Sequence, residues 1–351
     1  MGLLYLNAAS HGLPDRAVMR RMIAQLDLEA MIGTVAASGQ IADDLTQVHD
    51  AAARLFNAPR DTVGFDSGTL SAWRAYVSEL PMSGKRFLVA PHEWGENVTT
   101  LRAMIEGTGA RIEVLPPLDL DAPDLSAWQE RMDDDVSALI LPMVTSVGGL
   151  HYPVAAIGAM QRPSSAKVIV DAAQAIGQVE MDTAKLGCDA IFATTRKWVR
   201  GPRQTALFWV KDADRRAAVE RFNTNEALCL GLGVALAQLE ERGIEATAAI
   251  LTARAMRIRE NAATLGLACL GTERSGTAAV TVLIPANKAA SVEAALAAAD
   301  MIVKWPQPEK DEPHSDLDLG ETHPVRIAPH VTTELSEICL VYTSPSPRDR
   351  G

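Results

Sequence analysis

Cysteine is scarce and badly spaced for either of its structural uses. The four in 351 residues (Cys188, Cys229, Cys269 and Cys339) are scattered, with no C-x-x-C and no paired spacing, so neither a disulfide frame nor a metal site is indicated. They read as buried thiols of a reducing, cytoplasmic compartment. Long apolar runs are missing as well. No stretch approaches the ~20 residues that span a bilayer, so no membrane association is expected. The opening MGLLYLNAASHG has neither the basic n-region nor the apolar length of a signal peptide. Positive charge is in deficit. With 33 Lys+Arg against 44 Asp+Glu and a formal net charge of -11, no basic stripe is offered to neutralise phosphates, which excludes nucleic acid as a partner. At roughly 100–200 residues per domain the length predicts two domains. A chain of this size buries about three quarters of its unfolded surface and needs no disulfide to stand.

What is present is alternation. From about residue 60 to 210, short apolar runs exchange with longer amphipathic stretches. Phe87–Ala90, Arg111–Leu115, Ala138–Met143, Val168–Asp171, Ala190–Ala193 and Thr205–Val210 predict strands covered on both faces, as in a mostly parallel sheet. Asn97–Gly107, Leu125–Met132 and Pro153–Met160 predict helices between them, giving an α/β fold with right-handed crossovers. Beyond Val210 the composition changes. From Asn225 to about Leu265 it predicts long helices with a break at Gly243. A strand (Ala279–Pro285), a helix (Ala289–Ala299) and a strand (Met301–Lys304) follow. The polar Gln307–Thr322 is expected to be a surface loop, ahead of a strand around Val325–Ala328 and a helix start near Thr332. We read residues 1–12 as an N-terminal arm, 13–235 as a large sheet domain and 236–341 as a smaller α+β domain. In residues 342–351 two Ser-Pro steps cannot continue a helix. The string TSPSPRD there resembles a translated sequencing adapter, so a non-native tail is expected.

The stretch that carries chemistry starts at Val168 and reads VIVDAAQAIGQVEMDTAKLGCDAIFATTRKWVRGPR. One apolar strand runs straight into Asp171, and the next ends in Thr194, Thr195, Arg196 and Lys197. Ligands of open α/β sheets sit at the carboxyl ends of strands, so both ends face a site. A carboxylate suits a pyridine nitrogen that must stay protonated, a lysine suits Schiff-base formation, and hydroxyls with a cation suit a phosphate. Asp171 alone equally serves as a helix N-cap, and Lys197 alone as a solvated surface lysine.

The pattern D-x-A-Q, roughly two dozen residues, then [ST]-[ST]-[HR]-K-W-x-x-G-P resembles class V pyridoxal 5'-phosphate (PLP) enzymes of fold type I. That family includes cysteine desulfurases, isopenicillin N epimerase-like proteins and kynureninase. The resemblance covers about residues 5–340. It implies a large mostly parallel sheet domain with helices on both faces, a smaller C-terminal domain, and a homodimer with active sites at the interface. It implies Lys197 as the Schiff-base lysine and Cα-proton acid/base, Asp171 as the pyridinium partner and Gln174 as donor to the phenolic oxygen. Thr194 and Arg196 would hold phosphate, Arg standing where many relatives carry His.

In VGFDSGTLSAWRAY, Gly68 and Thr69 open a helix whose N-terminal amides form an anion site, although capping explains a Ser-Gly-Thr turn equally well. By resemblance that loop grips the phosphate. Trp94, in APHEWGENVTTL, falls near the position whose ring stacks on the cofactor, or it simply packs. Ser146 stands where relatives face cofactor or substrate, or it caps a turn. Arg326, in PVRIAPHVTT, matches the arginine that pairs bidentately with a substrate α-carboxylate, with Ala328 replacing the usual serine. YLNAASHG resembles the arm that covers the active site, so His11 is a candidate substrate contact or a surface histidine. Arg203 faces a second acidic group or the dimer interface. Thr224 and Asn225 are weak matches to the turn that reaches the partner's phosphate.

The motif fixes the cofactor better than the reaction. Desulfurases carry a nucleophilic cysteine shortly before the substrate arginine, and WPQPEKDEPHSDLDLGETHPVR has none. The pairing of TTRKWVRGPR with VRIAPHV resembles the hercynylcysteine sulfoxide C–S lyases of ergothioneine biosynthesis. This implies PLP-dependent β-elimination from a cysteine S-conjugate sulfoxide that presents a free α-carboxylate. A class V aminotransferase or epimerase, and a non-catalytic PLP-fold protein, are the alternatives.

Overall fold

In the computed structural model, residues 3–220, 225–271 and 277–338 are described. Cys339, Thr224 and the tail 342–351 lie outside them. Seven strands form the main sheet. They are β2 (Val63–Asp66), β3 (Arg86–Val89), β4 (Arg111–Val114), β5 (Val136–Pro142), β6 (Lys167–Asp171), β7 (Ala190–Thr194) and β8 (Ala206–Val210), in the order β2-β8-β7-β6-β5-β3-β4. Only β8 runs against its neighbours. The continuous apolar reading of these strands is explained by their two faces. Leu139, Leu141, Val168 and Val170 join one core cluster with Val48, Phe56, Leu232 and Leu236 from the helices Ala42–Phe56 and Glu226–Arg242. Ala138, Ile140 and Ile169 join the other with Trp73, Tyr76 and Leu101 from the helices Thr69–Ser78 and Gly95–Ile105. A strand with helices on both sides has no face left for polar residues.

The second body is small. Strand β9 (Val280–Pro285) pairs antiparallel with β11 (Thr322–Ile327). Strand β10 (Met301–Ile302) pairs in parallel with β1 (Leu4–Tyr5). The arm is therefore a strand added to the C-terminal part, and it continues through a bridge from Asn7 to Ala328. The break at Gly243 separates Glu226–Arg242 from Ile244–Thr264. Its φ of 80° is one that glycine takes without a Cβ penalty.

Expectation and structure part in several places. Gln307–Thr322 is not simply a surface loop: Pro308–Asp311 is a short helix, Glu312 is 1% exposed, and Thr322 already belongs to β11. Leu125–Met132 shrinks to the single turn Ser126–Gln129. Asn225 caps the helix that follows it, its side chain accepting from the Leu228 amide. Cys188 and Cys229 are buried and Cys269 is half-buried. Among the described residues no helix is long and apolar enough to cross a membrane.

Candidate active site

Parallel strands that share a register end together. β5 finishes at Pro142 opposite Asp171, and β6 finishes at Asp171 opposite Phe192. Strand β7 runs on to Thr194, and the chain turns immediately into Arg196 and Lys197. Above these ends lies a cavity of about 380 Å³. Gly68, Thr69, Trp94, Ser146, Asp171, Gln174, Thr194, Arg196, Lys197 and Arg326 all line it. The structure thus brings ten of the twelve candidate residues together. His11 and Arg203 do not line the cavity, although both lie close enough to Arg196 to repel its charge or feel it.

Asp171 is held from two sides. Its Oδ1 accepts from the Ala173 amide at 2.8 Å, and its Oδ2 accepts from Asn97 Nδ2 at 2.9 Å. Lys197 sits in a desolvated pocket beside Arg196 and Arg326. Burial first, then those two cations, pull its amine down to about 7, against the opposing pull of Asp171. Such an amine is largely neutral just above neutral pH, which an ordinary surface lysine never is. Thr194 Oγ1 accepts from Arg196 Nη1 at 2.6 Å, which aims the guanidinium at the cavity floor.

The β2 end supplies the anion side. Asp66 Oδ1 accepts from the Gly68 amide at 2.9 Å. The helix from Thr69 to Ser78 then begins with no side-chain cap, and the buried Thr69 Oγ1 has no partner. Free amides, a free hydroxyl and Arg196 make a concave anion cradle. Gly68 is in ordinary extended backbone with φ -161°, so no positive φ demands glycine there.

The rim comes from far away in sequence. Arg326 is 4% exposed. Its Nη1 donates to the Ser146 carbonyl at 2.7 Å and its Nη2 to Ser10 Oγ at 2.8 Å, while Nε has no partner. Burial draws it down to about 10, with Asp311 and Glu312 opposing. Gln174 is clamped by Ala9 O and by Trp198 Nε1. The arm meets the lysine turn at Gly12, whose amide donates to Arg196 O at 2.7 Å. A Cβ on Gly12 would collide with the Lys197 carbonyl oxygen.

Sequence reading missed several residues here. The arm touches the site through Ala9 and Ser10 rather than through His11. Lys304 pairs with Arg326 across an antiparallel bridge and lines the same cavity, as does Asp311. Glu312 reaches across to accept from the Val147 amide at 2.7 Å. His92 binds Tyr152 Oη through Nδ1 at 2.8 Å. Glu93 and Asn97 lie beneath Asp171. Their one available signal was the i, i+4 spacing in HEWGEN, which puts both on one side of a helix start. Among the described residues no group of three or more His, Cys, Asp or Glu is placed to hold a metal.

Known proteins resemble this chain in sequence and in fold. The Aminotransferase class-V family profile matches residues 4–224. A probable hercynylcysteine sulfoxide lyase of Mycobacterium tuberculosis (strain CDC 1551 / Oshkosh) is 28% identical over 207 residues, 57% of this chain and 51% of that protein. A probable cysteine desulfurase of Xylella fastidiosa (strain 9a5c) is 32% identical over 165 residues, 46% of this chain and 39% of the relative. The chain thus spans about half, or less, of the length of these relatives. Among solved structures, a cystine C–S lyase, C-DES, in complex with its product cysteine persulfide superposes with a TM-score of 0.85. That match has 17% identity and covers 98% of each chain.

Proposed function

Since the chain belongs to the class-V aminotransferase family, we propose that it is a PLP-dependent lyase that breaks a C–S bond by β-elimination, with hercynylcysteine sulfoxide or a close S-conjugate sulfoxide as substrate. The observation that carries this reading is the meeting of Asp171 and a low-pKa Lys197 at adjacent strand ends beneath Arg326. The residues present fit PLP. Orphaned Thr69 Oγ1, the uncapped helix start, Thr194 and Arg196 suit its phosphate. Asp171 suits the ring nitrogen, Gln174 the phenolic oxygen, Trp94 the ring face and Lys197 the aldehyde.

Bound PLP supplies an electron-withdrawing ring that stores the electron pair left at the substrate Cα. The protein supplies the rest. Arg326, steadied by Ser146 and Ser10, orients the α-carboxylate with a forked donor. Lys197, neutral above about 7, removes the Cα proton. The electron pair then expels the β-sulfur as a sulfenate, leaving 2-aminoacrylate, which water converts to pyruvate and ammonia. No thiol nucleophile is needed, in keeping with the cysteine-free segment before Arg326. Lys304 has no described side-chain partner and stands opposite Arg326. It supports a substrate with a second anionic group.

A homodimer fits the exposed apolar residues Met19, Ile23, Leu26, Met31 and Val35 on the helices Arg16–Ile32 and Thr34–Gln40. The functional test is incubation of PLP-loaded protein with hercynylcysteine sulfoxide, without a keto-acid acceptor. With a thiol reductant such as dithiothreitol in the assay to reduce the released sulfenate, ergothioneine, pyruvate and ammonia in equal amounts are expected. No pyruvate, together with amino-group transfer or inversion of another amino acid, would replace the lyase reading with an aminotransferase or epimerase.

A further inference from the structure

We propose that Glu93 and Asn97 form a positioning pair that fixes the Asp171 carboxylate and so sets the protonation of the cofactor's ring nitrogen; this rests on the PLP reading above. Glu93, Asn97 and Asp171 are 1%, 3% and 8% exposed. The Asn97 amide nitrogen spends both hydrogens, one on Glu93 Oε1 at 2.6 Å and one on Asp171 Oδ2 at 2.9 Å. The other Asp171 oxygen takes the Ala173 amide at 2.8 Å. Each carboxylate oxygen thereby has one donor fixed in the protein, so rotation of the group breaks both bonds.

The donors come from different elements. Asn97 stands in the first turn of the helix Gly95–Ile105, and Ala173 follows β6. Asp171 is located by both and keeps a lone pair for the ring. Donors fixed on a carboxylate favour its charged form over its neutral one, and a charged carboxylate favours a protonated partner.

The choice of Glu at 93 also has a reason. A second ionised carboxylate so close to Asp171 would repel it, and full burial compounds the cost. Desolvation first and Asp171 second push Glu93 well above the ordinary carboxylate range, so it keeps its proton. Glu93 then offers Asn97 an acceptor without adding charge beside Asp171. Neither residue touches substrate in this arrangement; both act through Asp171.

The test uses whole protein loaded with PLP carrying a ring ¹⁵N label, read by ¹⁵N chemical shift and by the PLP dissociation constant. Asn97→Ala and the similarly sized Asn97→Leu each remove the donor without adding charge and are expected to lower the protonated fraction of the ring nitrogen. Both should weaken PLP binding about tenfold, roughly 1.4 kcal/mol. Glu93→Gln keeps a neutral acceptor and should stay within about twofold of wild type, since its net hydrogen-bond change is small. Circular dichroism identifies any variant that fails to fold, and the similarly sized Leu form covers that case for Ala. Wild-type shift and affinity in the folded Asn97 variants would overturn the proposal. Damage from Glu93→Gln equal to that of Asn97→Ala would overturn it too. Failure of the wild-type protein to take up PLP would instead remove the functional reading.

Discussion

The floor and the rim of the cavity are built on different principles. The floor is made of strand ends: Pro142 stands opposite Asp171 and Asp171 opposite Phe192, two residues before Thr194, because β5, β6 and β7 are parallel and in register. Their side chains need only a turn's length of chain to reach the site. The rim is made of pieces that belong to no common element. Ser10 comes from the arm, Lys304 and Arg326 from the small body, and Glu312 from a segment that accepts from the Val147 amide. The floor therefore tolerates little change in position and is suited to fixed chemistry. The rim is assembled by contacts that exchange independently, which suits substrate choice. Mutation of the two should give different kinetic signatures.

The largest effect is expected on the floor. Lys197→Ala removes the proton carrier and should cut kcat by about 10³-fold or more. It should also abolish the visible absorbance of loaded protein while leaving the circular dichroism spectrum unchanged. Next is the rim. Arg326→Ala should act mainly on KM, lowering kcat/KM roughly 100-fold for about 2–3 kcal/mol of charged hydrogen bonding. Visible absorbance should persist. A kcat collapse with unchanged KM would erase the contrast between the two layers.

The junction between them should respond less. Gly12→Ala places a methyl group on the Lys197 carbonyl, so the arm must shift at a cost of about 1–3 kcal/mol. A lower melting temperature and a several-fold higher KM are expected from thermal scans and initial rates. The smallest effect belongs to Glu312→Gln. Burial raises Glu312 to about 8, so the native state holds a proton that the unfolded chain releases near its ordinary pKa of 4.5. Stability contributed by this group is complete below that value and declines as pH rises toward 8. The Gln form should match wild type at pH 5 and show a flatter pH dependence of denaturant midpoint between 5 and 8.

The same contrast governs how much was legible in the sequence. The strands β5, β6 and β7 announce themselves as nearly continuous apolar runs, and β6 and β7 stop at Asp171 and Thr194, polar residues that mark the site. Asp171, Gln174, Thr194, Arg196 and Lys197 follow from that pattern and its family resemblance. The rim gives weaker signals. An arm residue is only a neighbour of its neighbour, and His11 drew attention by its chemistry while Ser10 makes the contact. Gln307–Thr322 reads as a surface loop because it is acidic and proline-rich, yet Glu312 is buried and accepts from the Val147 amide. Nothing local tells a chain that a carboxylate will be desolvated by a distant turn. Asn97 was hidden differently. It lies in a helix whose amphipathic pattern is satisfied without it, so only the three-dimensional approach to Asp171 reveals its use.

The pairing of β1 with β10 has a consequence for the order of assembly. Leu4 lies against Met301, so the arm waits for nearly the whole chain, roughly 300 residues of loop, before its partner exists. Ala9 and Gly12 have their partners earlier, in Gln174 and Arg196, whereas Ser10 meets Arg326 only when the last strand is made. The arm is thus anchored at two points by partners that differ by more than a hundred residues in the order of synthesis.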